Sequence, residues 1–208
     1  MTLDSGIAVA LLSLCLTKSG GLQRSRLRDS AIRGALLTDL TFAARLRSDD
    51  DGLTIDTTTT GFEPADRLLA AIVLEPDHNL EWWLRRGPVG QYDVAETLVA
   101  AGRWTHRPRQ VLRPGAHYHD HTDSTGLRER LLAVVAGQPC DPHNAALACL
   151  AQRSGLLGDD HNRQSEELIA QCREAAWIVT AVADYLTAAA LDALNGGHVS
   201  GTPGIGPS

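Results

Sequence analysis

The chain has 208 residues, 43% of them hydrophobic and 21% charged, which is typical of a globular protein with one domain and a substantial core. Its formal net charge of −6 argues against a protein whose main task is to wrap nucleic acid, because that binding neutralises phosphates with a basic surface. Aromatic residues make up only 4% while alanine and leucine are abundant, so the composition favours helices packed on helices and predicts an all-α bundle.

The N-terminal region predicts two helices and one short strand. Residues 3–16 form the first helix, and the Ser- and Gly-rich residues 17–23 form the loop that ends it. The second helix is capped by Asp29 or Ser30, and its apolar positions recur at helical spacing until the acidic residues 49–51. The β-branched segment that follows, ended by Gly61, predicts a strand.

Arg33 is the unusual residue of this region, because these boundaries place it in the first turn of an otherwise apolar helix. A helix start carries partial positive charge, so a cation there needs an anion nearby. The anion is either an aspartate on the same helix, Asp29 or Asp39, or the phosphate of a ligand.

The rest of the chain predicts further helices, one hairpin and a disordered tail. Helices are expected at residues 64–73, 80–86, 92–101, 125–136, 142–157 and 165–194, and a hairpin at residues 103–120. The tail, residues 196–208, has too little apolar content to fold, which leaves residues 1–195 as a single domain.

Two apolar segments and the cysteines indicate a cytoplasmic protein. The segment at residues 7–16 lacks a basic residue before it and is predicted to be a core helix rather than a signal peptide. The segment at residues 175–191 contains Asp184 and is shorter than the roughly 20 residues of a membrane span, so it predicts a buried central helix. The cysteines show no CxxC spacing and predict small core residues in a reducing compartment.

Arginines form two basic patches on this acidic chain. The first comprises Arg24, Arg26, Arg28 and Arg33, and the second comprises Arg103, Arg107, Arg109 and Arg113. The asymmetry suggests a surface that faces anions. Lys18 is the only lysine against eighteen arginines, which indicates the coding bias of a GC-rich bacterial genome.

The hairpin and the adjacent tryptophans are candidate contact surfaces. Trp82 and Trp83 point about 100° apart on a helix, so one is core and the other partly exposed. Trp83 is the candidate for membrane or partner contact. Arg107, Arg109 and Arg113 on the hairpin belong either to a solvated strand face or to a surface for anionic lipid or a partner.

Residues 117–121 contain three alternating histidines that would share one face of a strand, as zinc ligands do. Alternate residues of a strand lie about 6 to 7 Å apart, too far for one ion without a bend, so no metal or other cofactor is assigned. The sequence contains no GxSxG, P-loop, GxGxxG or HExxH motif, and it predicts a protein that is not an enzyme.

Four strings, in this order and spacing, resemble the Golgi phosphoprotein 3 family: SAIRGALLTDLTFAARL, TTTTGFEPADRLLAA, ETLVAAGRW and DPHNAALACLAQRSGLL. The resemblance covers roughly residues 3–186. It implies a mainly helical domain in which a central bundle is ringed by amphipathic helices and one β-hairpin protrudes. Eukaryotic members are peripheral membrane proteins that bind phosphatidylinositol 4-phosphate and act as adaptors.

The family's head-group pocket uses one tryptophan and three arginines. Arg33 matches the arginine of the second helix, whereas Arg24 stands near the position of the tryptophan, and Pro88 and Gln91 stand near those of the other two arginines. Arg85 and Arg86 lie a few residues away and are the candidate replacements.

The resulting expectation is a peripheral binding protein on the inner face of a membrane, with Arg33, Arg24, Arg85 and Arg86 contacting an anionic head group. Two alternatives stay open. One is a cytosolic oligomeric scaffold that binds acidic protein partners without lipid, self-associating through the hairpin as family members do. The other is a metal-binding protein that uses the histidine cluster.

Overall fold

The computed structural model describes residues 3–49, 52–107, 117–121, 124–158 and 165–196, and in these residues the chain is mainly helical. The helices are α1 (Ile7–Cys15), α2 (Arg26–Phe42), α3 (Glu63–Leu74), α4 (Leu80–Arg86), α5 (Gln91–Ala100), α6 (Ser124–Val135), α7 (Pro142–Arg153), α8 (Ser165–Gln171) and α9 (Ala176–Gly196). Two antiparallel hairpins are described, β1 (Leu46–Asp49) with β2 (Gly52–Ile55) and β3 (Trp104–Arg107) with β4 (His117–Asp120). The mainly helical fold is confirmed, and the described part of the chain contains one more hairpin than predicted.

The core is built around α1, α2, α7 and α9. Every residue of α1 except Ala10 is buried, and so is every residue of α7 from Ala145 to Gln152. Helices that are apolar on all sides are stable only when other helices surround them. The prediction that the N-terminal apolar segment is a core helix is therefore confirmed, and Asp141 caps α7 by accepting from the N–H of Asn144.

The boundaries predicted for the second helix are wrong. Helix α2 begins at Arg26, because Ser25 is its N-cap and accepts from the N–H of Arg28, and it ends at Phe42. Ala44 then has a φ of 56°, a left-handed conformation that turns the chain into β1. Arg33 thus lies two turns inside α2, so the argument that a helix start demands an anion beside it does not hold.

The long C-terminal helix predicted from residue 165 is divided. Arg173 has a φ of 51° and starts a short 3₁₀ turn, Arg173–Ala175, between α8 and α9. By length and composition alone, Arg173–Leu194 is sufficient to cross a membrane, contrary to the sequence-based estimate, and 28% of its apolar window is buried. The first half of α9 is core, whereas Leu191 and Leu194 are exposed.

The second hairpin packs one face against the body. Trp104 and Tyr118 are buried, whereas Thr105 and His119 on the opposite face are exposed, so the hairpin has one solvated face. The N–H of Tyr118 donates to the carbonyl of Gly20 at 2.8 Å. Gly20 has a φ of 82°, and a Cβ there would lie 2.2 Å from the Tyr118 carbonyl oxygen, so the hairpin requires glycine at this position.

All four cysteines are free thiols: Cys15, Cys149 and Cys172 are buried, and Cys140 is partly buried. Their predicted place in the core is correct for three of the four. Residues 197–208, which make up nearly all of the predicted disordered tail, lie outside the described residues, and Gly196 is the last residue of α9.

Candidate functional site

The guanidinium group of Arg33 binds backbone carbonyls. Its Nε donates to the carbonyl of Val89 at 2.5 Å, and its NH1 donates to the carbonyls of Leu84 at 2.8 Å and Arg85 at 3.3 Å. Leu84 and Arg85 are in the last turn of α4, where carbonyls lack helical partners and carry partial negative charge. Arg33 is therefore a C-terminal cap for α4, supplied from a neighbouring helix.

Partial burial acts against the positive charge of Arg33. Partial burial lowers the pKa of this guanidinium from its ordinary value, and the nearby carboxylate of Asp29 is the largest of the charges that oppose the shift. Among the described residues, Arg33 forms no ion pair with Asp29 or Asp39, so the simple ion-pair explanation is wrong.

The two aspartates of α2 cap other helices. Asp29 accepts from the N–H of Gln91 at 3.0 Å, at the start of α5. Asp39 accepts from the N–H groups of Ile7 and Ala8 at 2.8 and 2.9 Å, at the start of α1. Three charged residues of α2 thus meet helix ends of opposite polarity, Asp29 and Asp39 at N-termini and Arg33 at a C-terminus.

Asp39 is almost completely buried, with 1% of its surface exposed. Burial raises the pKa of this carboxyl to about 7, against the opposing effect of the two N–H groups that it binds. Gly6 leaves the space for it, since a Cβ on that glycine would lie 2.6 Å from a carboxylate oxygen of Asp39.

Residues 87–90, between α4 and α5, are held from several sides. Besides the bond from Arg33 to Val89, the NH2 group of Arg67 donates to the carbonyl of Pro88 at 2.7 Å and to Asp93 at 2.5 Å. The N–H of Gly90 donates to Asp93 at 2.8 Å. Sequence reasoning missed Arg67, although its position four residues after Glu63, with which it also pairs, signals a structured helix face.

Three of the predicted arginines are exposed around this connection. Arg85 and Arg86 project to solvent from the last turn of α4, and Arg24 is exposed just before α2, its guanidinium 5.9 Å from the centre of the Tyr92 ring. Tyr92 in turn donates to the carbonyl of Leu22 at 2.9 Å. Within the described part of the chain, none of the three has an ion pair.

Other predicted contact residues lie elsewhere. Trp83 is corrected to a core residue: it is 4% exposed, and its Nε1 donates to the carbonyl of His78 at 3.2 Å. Trp82 is the partly exposed member of the pair, stacked on the His78 ring at 3.7 Å between centroids. Arg107 is the last residue of β3, and its backbone pairs with His117. Arg109 and Arg113 lie outside the described residues.

The histidine cluster does not converge on one point. His117 faces the loop before α2, where its Nδ1 lies 3.4 Å from the carbonyl of Ser19. The rings of His119 and His121 contact each other edge to face, 4.8 Å apart. Among the described residues, no three His, Cys, Asp or Glu side chains are close enough together to hold a metal ion.

Comparison with known families agrees with the order of these elements. The family model of Golgi phosphoprotein 3 (GPP34) matches residues 7–189, from the first residue of α1 to well inside α9. The chain belongs to the Golgi phosphoprotein 3 family. No curated protein matches it.

The resemblance placed Arg33, Pro88 and Gln91 at or near the pocket positions of the Golgi phosphoprotein 3 family, and the structure shows the surroundings of each. Arg33 is present but is hydrogen-bonded to carbonyls through Nε and NH1. Gln91 is fully buried, and its side-chain amide donates to the carbonyl of Gln23 at 2.8 Å, so it cannot reach an external head group. Pro88 is exposed and carries no charge. Arg67 is also exposed near this connection but pairs with Glu63 and Asp93, so the exposed cations without an ion pair among the described residues are those of Arg24, Arg85 and Arg86.

Proposed function

We propose that this Golgi phosphoprotein 3 family member is a peripheral membrane-associated binding protein that recognises an anionic head group, a phosphoinositide such as phosphatidylinositol 4-phosphate being the first candidate. It would act as an adaptor on the inner face of a membrane. The proposal assigns no catalytic step and no cofactor.

The observation that carries the proposal is the coupling of Arg33 to the turn that bears Arg85 and Arg86. By binding the carbonyls of Leu84, Arg85 and Val89, Arg33 fixes the end of α4, and the two following guanidinium groups are left exposed. A charge on a fixed backbone loses less freedom when it binds a phosphate than one on a flexible loop. Arg33 thus supports the site by holding the backbone of the turn.

The charge of this surface suits an anionic membrane. Each arginine near an anionic membrane contributes about 1 kcal/mol to the free energy of binding. A guanidinium group can also donate two parallel hydrogen bonds to the oxygens of one phosphate. Arg24 adds a third exposed cation from the segment before α2, close to Tyr92. A protein with a formal net charge of −6 would be oriented by such a patch, because the rest of its surface is repelled.

Vesicle flotation at low salt tests the proposal. The protein is mixed with vesicles of phosphatidylcholine alone, with added phosphatidylserine, or with added phosphatidylinositol 4-phosphate. We expect flotation with the anionic vesicles, and the Arg85→Ala/Arg86→Ala double variant should bind them at least about tenfold more weakly. The matched control is Arg47→Ala/Arg130→Ala, which removes two exposed charges elsewhere and should leave binding unchanged.

The proposal is overturned if the protein floats with none of the anionic vesicles, or if both double variants bind alike. Absence of vesicle binding, together with a concentration-dependent oligomer in sedimentation, would favour the cytosolic scaffold instead. Stronger binding to phosphatidylinositol 4-phosphate than to phosphatidylserine at equal surface charge would identify a phosphoinositide as the ligand.

A further inference from the structure

Helices α2 and α9 pack antiparallel, which brings the end of α9 to the start of α2. Gly34 allows their close approach, since a Cβ there would lie 2.3 Å from Cγ1 of Val182. One turn earlier in α2, the hydroxyl of Ser30 lies 3.5 Å from that of Tyr185. Further toward the start of α2 and the end of α9, Leu27 and the last turns of α9 line the same cavity.

This cavity is open and partly apolar. It has a volume of about 310 Å³ and lies between the start of α2, the end of α7 and the last turns of α9. Leu27, Ala190, Leu191 and Leu194 supply its apolar lining. Leu191 is 55% exposed and Leu194 is 71% exposed, so the last two turns of α9 leave adjacent leucines uncovered by the described residues. Neither leucine belongs to the hydrophobic core, to which α9 contributes residues such as Val182 and Leu186.

Positive charge lies beside this apolar surface, at the start of α2 and at the end of α7. Arg24 and Arg26 are exposed on either side of the α2 N-cap, next to Leu27. Arg153 lines the cavity and donates to the hydroxyl of Thr187. On α9, the acid next to Leu191 is Asp192, which does not line the cavity: at about 100° per residue it lies far round the helix from the face that carries Leu194.

We propose that Leu27, Leu191 and Leu194, flanked by Arg24 and Arg26, form the surface that enters the interface of an anionic bilayer. This inference rests on the proposed function and deepens it, because it names the part of the molecule that penetrates the lipid. Exposed leucines beside cations are the combination that holds amphipathic helices at the boundary between head groups and acyl chains.

Charge decides between a bilayer and a second copy of the chain. A symmetric dimer through this surface would bring the Arg24 and Arg26 of both copies together, and like charges at close range oppose association. An anionic bilayer offers the opposite charge around the same apolar centre. Arg24 is also part of the proposed head-group surface, so the two surfaces adjoin and can face one membrane.

The test uses the full chain and equimolar phosphatidylcholine and phosphatidylserine vesicles. Leu191→Gln/Leu194→Gln removes the exposed leucines while keeping a good helix former at each position. The matched control, Leu53→Gln/Leu74→Gln, removes two leucines that are 53% and 80% exposed on β2 and α3. We expect the first variant to lower the vesicle partition coefficient about tenfold or more, and the control to leave it unchanged. Equal far-ultraviolet circular dichroism and equal melting temperatures would show that both variants fold.

Salt provides a second readout. Screening removes most of the attraction between arginines and lipid, so the binding that survives at high salt measures the apolar contact. The vesicle binding that remains at high salt should vanish in Leu191→Gln/Leu194→Gln and persist in Arg85→Ala/Arg86→Ala. The inference is overturned, and the proposed function kept, if the unaltered protein binds anionic vesicles and both leucine variants bind as well as it does. If the unaltered protein binds no vesicles, both ideas fall. If a leucine variant dissociates an oligomer without changing lipid binding, this surface is instead the contact between two copies of the chain.

Discussion

Replacing Arg33 by methionine should destabilise the protein even when no lipid is present. Methionine keeps an unbranched apolar side chain in α2 and removes the guanidinium group. The carbonyls of Leu84, Arg85 and Val89 then lose their donors, and Leu84 and Val89 are buried, so water cannot fully replace the bonds. The perturbation therefore separates support of the fold from contact with a ligand.

The size of the effect follows from the geometry. Two of the three bonds are short, at 2.5 and 2.8 Å, and the third, at 3.3 Å, is near the limit for a hydrogen bond. A hydrogen bond to a charged group contributes about 1.5 to 3 kcal/mol, and the lower end applies because Arg33 is only partly buried. Counting the two short bonds, we expect the free energy of unfolding to fall by about 3 kcal/mol.

Urea denaturation followed by circular dichroism measures this loss. Arg33→Lys keeps the charge but not the planar fork, so it should recover only part of the stability. Arg26→Met on the same helix is the control, because Arg26 is exposed, and it should change the free energy of unfolding by less than about 0.5 kcal/mol. If Arg33→Met is no more destabilising than Arg26→Met, the capping role of Arg33 is refuted.

Three further predictions concern packing, pH and thiol reactivity. Gly34→Ala should cost about 1 to 3 kcal/mol because its Cβ would overlap Val182, and Val182→Ala in the same chain should recover part of this; the absence of recovery in urea titrations would contradict the close contact. Burial raises the pKa of Asp39 to about 7. The contribution of this carboxyl to the free energy of unfolding is therefore complete below about pH 4 and is lost as the pH rises to about 7. Asp39→Asn should flatten that part of the stability profile, and an unchanged profile would show that the carboxyl is already ionised. A thiol reagent added to the folded protein should react with Cys140 first, because the other three cysteines are buried and burial raises their pKa to about 11 or 12. These three are Cys15, Cys149 and Cys172. Rapid reaction of more than one thiol would mean that the core opens.

Helix content and most helix positions could be predicted because apolar periodicity is a local property. The helices around Leu68, Leu84 and Leu98 begin and end within a residue or two of the predicted limits, since prolines, glycines and caps mark their ends. The segment around Leu46 could not be predicted correctly. Its leucine continues the apolar pattern of α2, but Ala44 turns the chain into a hairpin, and pairing with Ile55 decides the conformation.

In the candidate site too, local sequence predicted some features and contacts between distant residues decided the others. The arginines at positions 24, 85 and 86 could be identified from residue type and from their nearness to the family's pocket positions, and the structure leaves all three exposed. The partners of Arg33 could not, because the carbonyls that it binds lie 51 to 56 residues away and have no side-chain signature. The same holds for Asp29 and Asp39, which looked like ion-pair partners of Arg33 and instead cap α5 and α1.

By itself, the sequence determined the family, the helical class and the charges that this protein can present, because these depend on residue type, periodicity and order. Only the tertiary structure decided what each charge does. Capping, burial and exposure depend on which helix ends meet α2, and on α9 running antiparallel to it so that Leu191 and Leu194 lie beside Leu27. Those are contacts between residues far apart in the chain, and a local pattern does not contain them.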